Sequence, residues 1–98
     1  MADPVAGMGH GPSLRIDKYL WFARLSKSRS TAQKLAEDGH IRVNGRRIER
    51  AHAPVRTGDL VTFPHGEAVR VVRVVALPAR RGSAPEANAC YEELMVGS

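Results

Sequence analysis

Two stretches of the chain repeat apolar residues at the spacing of a helix. These positions are Ile16, Tyr19, Leu20 and Ala23 in the first stretch, and Ala32, Leu35 and Ala36 in the second. Intervals of three and four residues place each set on one face of a helix. The polar break at 26–28 offers an N-cap for a second helix over about residues 29–38, although Ser30 with Gln33 also fits a capping box. Gly39 is expected to end this helix in the left-handed conformation.

Beyond the second helix the apolar period shortens to two. In residues 41–48, apolar and polar side chains alternate on either side of Asn44 and Gly45. This dipeptide is preferred in the type I′ turn of a tight β-hairpin. β-Branched and apolar residues mark two further strands at about 60–63 and 69–75, each preceded by a turn that contains glycine. The pattern therefore predicts a small antiparallel sheet after the two helices.

The last segment combines a helix-start signal with another apolar face. Ser83 and Glu86 have the spacing of a capping box, and Pro85 falls in the first turn. We expect a helix over about residues 84–95. Its shared apolar face consists of Ala87, Cys90, Tyr91 and Leu94.

Two aromatic residues of the first helix, Trp21 and Phe22, lie off its apolar stripe and need a second surface to cover them. They could stack on nucleic-acid bases, but packing against the C-terminal helix is the favoured interpretation. We expect Tyr91 and Leu94 to dock on the surface left by these two rings or by Leu25. The predicted fold class is α+β: a helical hairpin packed on a small antiparallel sheet, with a C-terminal helix.

Length and composition allow one small domain. The chain has 98 residues, of which 43% are hydrophobic. We expect a flexible N-terminal tail over residues 1–13, a folded domain over 14–77 and a C-terminal extension over 78–98. The apolar runs are too short to cross a bilayer, and residues 1–13 lack the features of a secretory signal. We therefore expect a cytoplasmic protein with no membrane partner.

The sequence offers no evident chemistry for catalysis or metal binding. A single cysteine, Cys90, excludes an internal disulfide and a cysteine-based zinc site, and the four histidines lack ligand spacing. No Ser–His–Asp arrangement can be assembled, and there is no GxxxxGK[ST] loop to hold a nucleotide. We expect a protein that is not an enzyme and that binds no cofactor and no metal.

The excess of positive charge is confined to one block of the chain. The formal net charge is +5 and the sequence pI is about 10.1. Residues 14–50 hold ten bases against four acids, whereas residues 51–98 hold five of each, and twelve of all fifteen bases are arginine. Arginine binds phosphate through two donors at once, so the block favours a nucleic-acid partner. A solvated surface that aids solubility is the alternative.

The two helices and the hairpin would bring these bases together. The loop before the second helix carries hydroxyls and cations at a helix N-terminus, where free N–H groups favour phosphate. The residues expected to line the cationic groove are Arg15, Lys18, Lys27, Ser28, Arg29, Ser30, Gln33, Lys34, Arg42, Arg46 and Arg47. Such a groove suits structured RNA read by its shape and phosphate spacing, although charge alone does not separate RNA from DNA. Arg29 is expected to have no buried partner, and Arg70 to take no part in binding.

Four ordered motifs resemble the RNA-binding domain named after small-subunit ribosomal protein S4. They are Arg15-Ile-Asp-Lys18-Tyr-Leu, Lys27-Ser-Arg29-Ser30, Gly39-His-Ile-Arg-Val43-Asn44-Gly45 and Gly58-Asp59. The resemblance implies an αL-type motif that binds structured RNA through the second helix, the loop before it and adjacent bases. The implied contacts are Arg15, Lys18, Lys27, Ser28, Arg29, Ser30, Gln33 and Lys34, with Arg42, Asn44 and Arg46 as neighbours and Arg24 as a further candidate.

The small form of the domain resembles a family of ribosome-associated heat-shock proteins. That resemblance implies a protein that binds large-subunit ribosomal RNA in free large subunits carrying nascent chain-tRNA, and that aids the recycling of those subunits. Contact with tRNA is left open, and we expect a monomer. The alternatives are an accessory RNA-binding domain of an RNA-modifying enzyme, such as a pseudouridine synthase, and a DNA-binding protein.

Overall fold

The computed structural model describes residues 11–97, with side chains as far as Leu94, and these residues form seven strands and three helices. The elements are β1 (Leu14–Arg15), α1 (Ile16–Phe22), α2 (Arg29–Glu37), β2 (Ile41–Val43), β3 (Arg46–Ile48), β4 (Pro54–Val55), β5 (Leu60–His65), β6 (Ala68–Val74), α3 (Ala84–Asn88) and β7 (Tyr91–Gly97). Most of the predicted tail over 1–13 lies outside the described residues. The α+β class is confirmed.

Five strands form one antiparallel sheet in the order β3-β2-β5-β6-β7. Asn44 and Gly45 close the β2–β3 hairpin with φ angles of 54° and 81°, the signs that a type I′ turn requires, so the predicted hairpin is confirmed. The two further predicted strands are present as β5 and β6, which pair with Val61 opposite Val72. β1 and β4 pair separately and hold the chain where it enters α1.

The two predicted helices form the helical hairpin. The Ser28 hydroxyl accepts a hydrogen bond from the Thr31 N–H at 3.1 Å, so Ser28 rather than Ser30 caps α2. At the other end Gly39 has a φ of 78°, the left-handed conformation that commonly follows a helix. The signals at both ends of α2 therefore predicted its position correctly.

The helical hairpin and the sheet share one hydrophobic core. Its fully or almost fully buried residues include Ile16, Tyr19, Leu20, Ala32 and Ala36 from the helices and Ile41, Val61, Phe63, Val72 and Val74 from the sheet. The apolar faces read from the sequence are therefore the buried faces. None of the described helices has both the length and the apolar character needed to cross a membrane.

The predicted C-terminal helix over 84–95 is wrong beyond residue 88. The capping box of Ser83 and Glu86 is present, but α3 ends at Asn88 and the chain continues as β7 along the edge of β6. Strand β7 pairs with backbone groups of β6 that an open edge would leave without partners. This pairing prevails over the helical spacing of the apolar residues, because strand formation depends strongly on tertiary context.

The expected docking of Tyr91 and Leu94 on Trp21, Phe22 or Leu25 is wrong for Leu94, whereas Tyr91 packs against a core cluster that includes Leu25. Leu94 is 41% exposed. The Tyr91 hydroxyl donates to the Asn88 side chain at 3.2 Å, and the guanidinium carbon of Arg70 lies 6.0 Å from the centre of the Tyr91 ring. Tyr91 is therefore part of the β6–β7 contact.

Hydrogen bonds join the C-terminal segment to α1 instead. The buried Tyr19 hydroxyl donates to the Cys90 carbonyl at 2.9 Å, and Arg24 Nε donates to the Gly82 carbonyl at 2.7 Å. Burial raises the pKa of the Tyr19 hydroxyl far above its ordinary value, and Cys90 adds to the effect. The hydroxyl is therefore protonated at neutral pH and acts as a donor.

Candidate nucleic-acid interface

A fully buried carboxylate lies at the centre of the predicted RNA-binding surface. Asp17, in the first turn of α1, has no exposed area. Its Oδ1 accepts hydrogen bonds from Arg15 Nε at 2.9 Å and from the Lys18 backbone N–H at 2.8 Å. Its Oδ2 accepts from Arg15 Nη2 at 2.8 Å, Arg29 Nε at 3.3 Å and Gln33 Nε2 at 3.3 Å. Four predicted RNA contacts thus converge on one acid, three through their side chains and Lys18 through its backbone.

Asp17 is ionised despite its burial. Burial by itself would raise the pKa of this carboxyl, but hydrogen bonds from the Arg15 guanidinium and the Lys18 N–H, with the charge of Arg15, lower it below the usual 3.8. A buried charge is tolerated in a protein when it is paired and hydrogen-bonded in this way. At neutral pH the group is therefore a carboxylate that only accepts hydrogen bonds.

Arg15 and Arg29 reach the surface while they hold Asp17. Their side chains are 39% and 36% exposed. Arg15 bonds Asp17 through Nε and Nη2, whereas Arg29 bonds it through Nε. The remaining donors of a guanidinium can bind a phosphate oxygen on its outer side. The expectation that Arg29 has no buried partner is wrong.

The N-terminus of α2 adjoins this cluster, because Arg29 is its first residue. The Ser28 hydroxyl caps the helix and also lies 3.1 Å from the Ser30 hydroxyl and 2.9 Å from the Thr31 hydroxyl. Lys27 is exposed in the preceding loop. The helix dipole places partial positive charge at this end, so the loop adds to the cationic character of the surface around Asp17.

Two predicted contacts have partners elsewhere. Lys34 Nζ lies 3.2 Å from the Asp38 carboxylate one helical turn away, and its side chain is largely exposed. Arg24 has a φ of 59° and donates to the Gly82 carbonyl, which ties the end of α1 to the C-terminal segment. The hydrogen bond of Arg24 is therefore part of the fold, and Lys34 lies at the margin of the candidate interface.

The polar side chain of Asn44 joins the hairpin to the neighbouring strand. Its Oδ1 accepts from the Leu60 N–H at 2.9 Å, and its Nδ2 donates to Asp59 Oδ1 at 3.0 Å. These bonds join the β2–β3 turn to the start of β5. The structure therefore gives Asn44 a role in the turn, and the predicted RNA contact at this residue stays a prediction.

The hairpin divides its arginines between two faces of the sheet. Arg42 and Arg47 are directly opposite each other, whereas Arg46 is opposite Val43. Because side chains alternate along a strand, Arg46 points to the face opposite that of Arg42 and Arg47. All three arginines are exposed. A single groove that runs from the helices to the hairpin can therefore contain either Arg46 or the pair Arg42 and Arg47, but not all three.

Sequence reasoning missed the role of Asp17 and that of Arg81. The Arg81 guanidinium lies 5.7 Å from the centre of the Trp21 ring, and it donates to the Trp21 and Ser26 carbonyls. Trp21 also lies against Phe22, with ring centres 5.6 Å apart. Trp21 thus contacts the C-terminal segment through Arg81 in the loop before α3, and not through the C-terminal helix that the sequence favoured. No local signal in the sequence pairs residues so far apart.

Within residues 11–97, no group of three or more His, Cys, Asp or Glu side chains is placed to hold a metal ion. Cys90 is a buried free thiol whose pKa is raised by burial and, to a smaller extent, by Glu86. A thiol of raised pKa is a poor nucleophile at neutral pH. The cationic surface around Asp17 is therefore the candidate functional site among the described residues.

Comparisons with known proteins match the region that holds this surface. The model of the S4 domain family matches residues 14–61. The chain is 41% identical over 80 residues to the heat shock protein 15 homolog of Aeromonas salmonicida, covering 82% of this chain and 60% of that protein. It is 36% identical over 61 residues to the RQC P-site tRNA stabilizing factor of Bacillus subtilis, covering 62% of this chain and 70% of that protein.

A solved structure agrees in fold with the described chain. It is a trimeric structure of heat shock protein 15 from Vibrio cholerae, with a TM-score of 0.79 and 32% sequence identity, covering 85% of this chain and 83% of that one. The chain matches about three fifths of the length of the heat shock protein 15 relatives. The similarity therefore extends from the α1–α2 hairpin into the sheet and beyond the family-model match.

Proposed function

The chain belongs to the S4 domain family, and from that premise we propose that it binds structured ribosomal RNA through the surface around Asp17. The target is the free large ribosomal subunit that carries a nascent chain on tRNA, and the outcome is recycling of that subunit. The observation that carries the proposal is the placement of Arg15 and Arg29, two half-exposed guanidinium groups on one buried carboxylate beside the N-terminus of α2.

This arrangement suits the backbone of a folded RNA. A guanidinium held by a carboxylate on one side presents its outer N–H donors in a fixed direction, which favours a phosphate oxygen at a defined position. The exposed Lys27 adds charge beside it. RNA helices expose phosphates and 2′-hydroxyls at regular spacing, so a compact set of fixed donors can recognise shape without reading bases.

The name of one of two relatives supports the ribosomal target. One is called a heat shock protein, and the other is called a P-site tRNA stabilizing factor. The second name refers to tRNA in the P site, which is why we include a tRNA-bearing subunit in the proposal. The proposed activity is RNA binding without catalysis. The expected location of the protein is the cytoplasm.

Sedimentation of cell extract tests the proposal directly. The tagged chain is expected to migrate with free large subunits, and addition of salt should release it. Arg29→Gln should shift the protein towards the top of the gradient. Arg73→Gln is the matched control, because it removes the same charge from an exposed residue on β6 that pairs with Glu92. Migration independent of ribosomal particles, or equal binding of duplex DNA at the same salt concentration, would contradict the proposal.

The oligomeric state is predicted separately. We expect a monomer of 10.7 kDa, the mass of the chain. Multi-angle light scattering of the purified protein without RNA measures this mass directly. A mass three times larger, corresponding to the trimer described for the Vibrio cholerae relative, would contradict the expectation.

A further inference from the structure

We propose that Asp17 is a positioning residue for RNA: its buried carboxylate holds Arg15 and Arg29 in the orientation that binds phosphate, and it raises RNA affinity although its own charge repels RNA. This role rests on the proposed RNA binding. Asp17 has no exposed area, so it cannot itself contact a ligand. Any effect on binding must pass through the side chains that it holds.

The geometry joins two separate elements at one oxygen atom. Asp17 Oδ2 accepts from Arg15 Nη2 at 2.8 Å and from Arg29 Nε at 3.3 Å. Arg15 precedes α1, whereas Arg29 begins α2. Because both donors share one acceptor, the separation of the two guanidinium groups is limited by these two distances. Without the carboxylate, two like charges this close would repel each other.

Gln33 shows that the arrangement is more than an ion pair. Its Nε2 donates to the same Oδ2 at 3.3 Å from one turn further along α2. The carboxylate thus receives side-chain donors from both ends of the first turn of α2 as well as the bidentate Arg15. A ring of donors around a buried acceptor restricts the rotamers of all three side chains, and binding then has less side-chain entropy to remove.

Simple electrostatics makes the opposite prediction. Replacing Asp17 by asparagine raises the formal net charge of +5 by one unit, and on charge alone the variant should bind a polyanion more tightly. A positioning role predicts weaker binding, because Arg15 and Arg29 lose the negative charge and one of the two acceptor oxygens that hold them together. The sign of the change in affinity therefore distinguishes the two accounts.

The experiment measures affinity for deproteinised large-subunit ribosomal RNA by fluorescence anisotropy at one salt concentration. Asp17→Asn is expected to weaken binding about fivefold or more, the loss expected when side chains ordered in advance become mobile. Equal or tighter binding by the folded variant would overturn the inference. If Asp17→Asn melts below the assay temperature, Asp17→Glu takes its place: it retains the charge but displaces the acceptor, and unchanged affinity would again overturn the role.

A double-mutant cycle separates positioning from a general loosening of the fold. In an Arg15→Gln/Arg29→Gln background, Asp17→Asn should change affinity by less than about twofold, since the side chains through which Asp17 acts are already gone. An equal loss in both backgrounds would mean that Asp17 acts through the fold as a whole. If the unmodified protein itself does not bind the RNA, the proposed function is contradicted. Failure of the inference about Asp17 gives a different result, in which the unmodified protein binds and Asp17→Asn binds at least as tightly.

Discussion

At Asp17 burial and charge pairing act in opposite directions on one carboxyl group. Burial favours the protonated form, yet Arg15 and the Lys18 N–H lower the pKa below 3.8. The folded protein therefore holds this proton less tightly than the unfolded chain does. That difference in proton affinity stabilises the fold at every pH at which the carboxylate is ionised. The contribution disappears at a pH low enough to protonate Asp17 in both the folded and the unfolded chain.

The first prediction concerns the stability of an Asp17→Asn variant at two pH values. At neutral pH the substitution should lower the free energy of unfolding by about 2 kcal/mol or more, because a neutral amide with one acceptor oxygen replaces a buried carboxylate that accepts five hydrogen bonds. The stabilising contribution of Asp17 is fully present above pH 3.8 and is lost as the pH falls through the lower folded-state pKa. Thermal melts at pH 7 and pH 3 should show the difference from the parent protein shrinking in acid.

Asp38→Asn serves as the control for this measurement. Asp38 pairs with Lys34 one turn along α2, and both side chains are exposed to a large extent. Exposed pairs of this kind contribute less than about 1 kcal/mol. If Asp38→Asn lowered the melting temperature as much as Asp17→Asn, burial of the Asp17 carboxylate would not be the cause of its effect.

Individual residues also mark the limit of what the sequence could predict. The caps Ser28 and Ser83 and the turn residues Asn44 and Gly45 were identified because their signals are local. Asp17 has the local pattern of an acid at a helix N-terminus. Its contacts with α2 depend on how two helices cross, and no spacing within one helix encodes that.

At the scale of elements, the helical hairpin and strands β2, β3, β5 and β6 follow from the sequence, whereas β1, β4 and β7 do not. Residues 91–97 contain apolar residues at spacings that fit either a helix or a strand. The sheet decides between them, because β6 offers an open edge and places Arg70 and Arg73 beside Glu93 and Glu92. Cross-strand pairs of opposite charge stabilise such an edge, and they are invisible until the strands are aligned.

The second prediction follows from this edge. Arg70 forms an ion pair with Glu93, and its guanidinium carbon lies 5.6 Å from the centre of the Phe63 ring. The hydrogen bond to Glu93 raises the pKa of the Arg70 guanidinium. Arg70→Ala should therefore lower the free energy of unfolding by about 1–2 kcal/mol, measured by urea denaturation. Arg73→Ala, with a more exposed pair, should change it by less than half as much.

Arg70 is consequently a poor control for RNA binding, and the expectation that it takes no part in binding stays a prediction. A loss of binding in Arg70→Ala could come from a weakened sheet. Arg73 replaces it because its side chain is 47% exposed and its partner Glu92 is 60% exposed. Equal stabilities of the Arg70 and Arg73 variants would contradict a structural role for Arg70 at this edge of the sheet.

The third prediction concerns truncation after Leu77, which removes α3 and β7. It breaks the hydrogen bonds from Tyr19 to the Cys90 carbonyl and from Arg24 to the Gly82 carbonyl, and it uncovers the outer edge of β6. The melting temperature should fall by about 10 °C or more, since losses of this kind amount to several kcal/mol in a domain of this size. Differential scanning calorimetry of the two chains provides the measurement.

An unchanged melting curve would mean that residues 78–97 are an independent arm. The full chain with Arg24→Ala provides a milder form of the same test, because it removes one of the hydrogen bonds that join the extension to α1 and the residues just after it. A small decrease in melting temperature is expected for this variant. Together the two variants measure how far the extension is integrated into the fold.

At the scale of the whole molecule, positive charge is concentrated in the helical hairpin and the β2–β3 hairpin that follows it. The six-unit surplus of residues 14–50 contrasts with the balanced composition of 51–98. In the second half, Arg70, Arg73 and Arg80 each pair with a glutamate. Binding of a polyanion should therefore depend on the first block and be almost indifferent to exposed arginines of the second.

The fourth prediction is the salt dependence of RNA binding. If about four to six cations of residues 14–50 neutralise phosphates, log affinity should fall with log salt concentration with a slope near −3 to −5. Arg29→Gln should reduce the magnitude of that slope by about one unit and weaken binding to most structured RNAs alike. It should also lower stability slightly, because Arg29 bonds the buried Asp17. Arg73→Gln should leave the slope unchanged. If both variants reduced the slope equally, RNA would be attracted by the net charge of the protein rather than by the surface around Asp17.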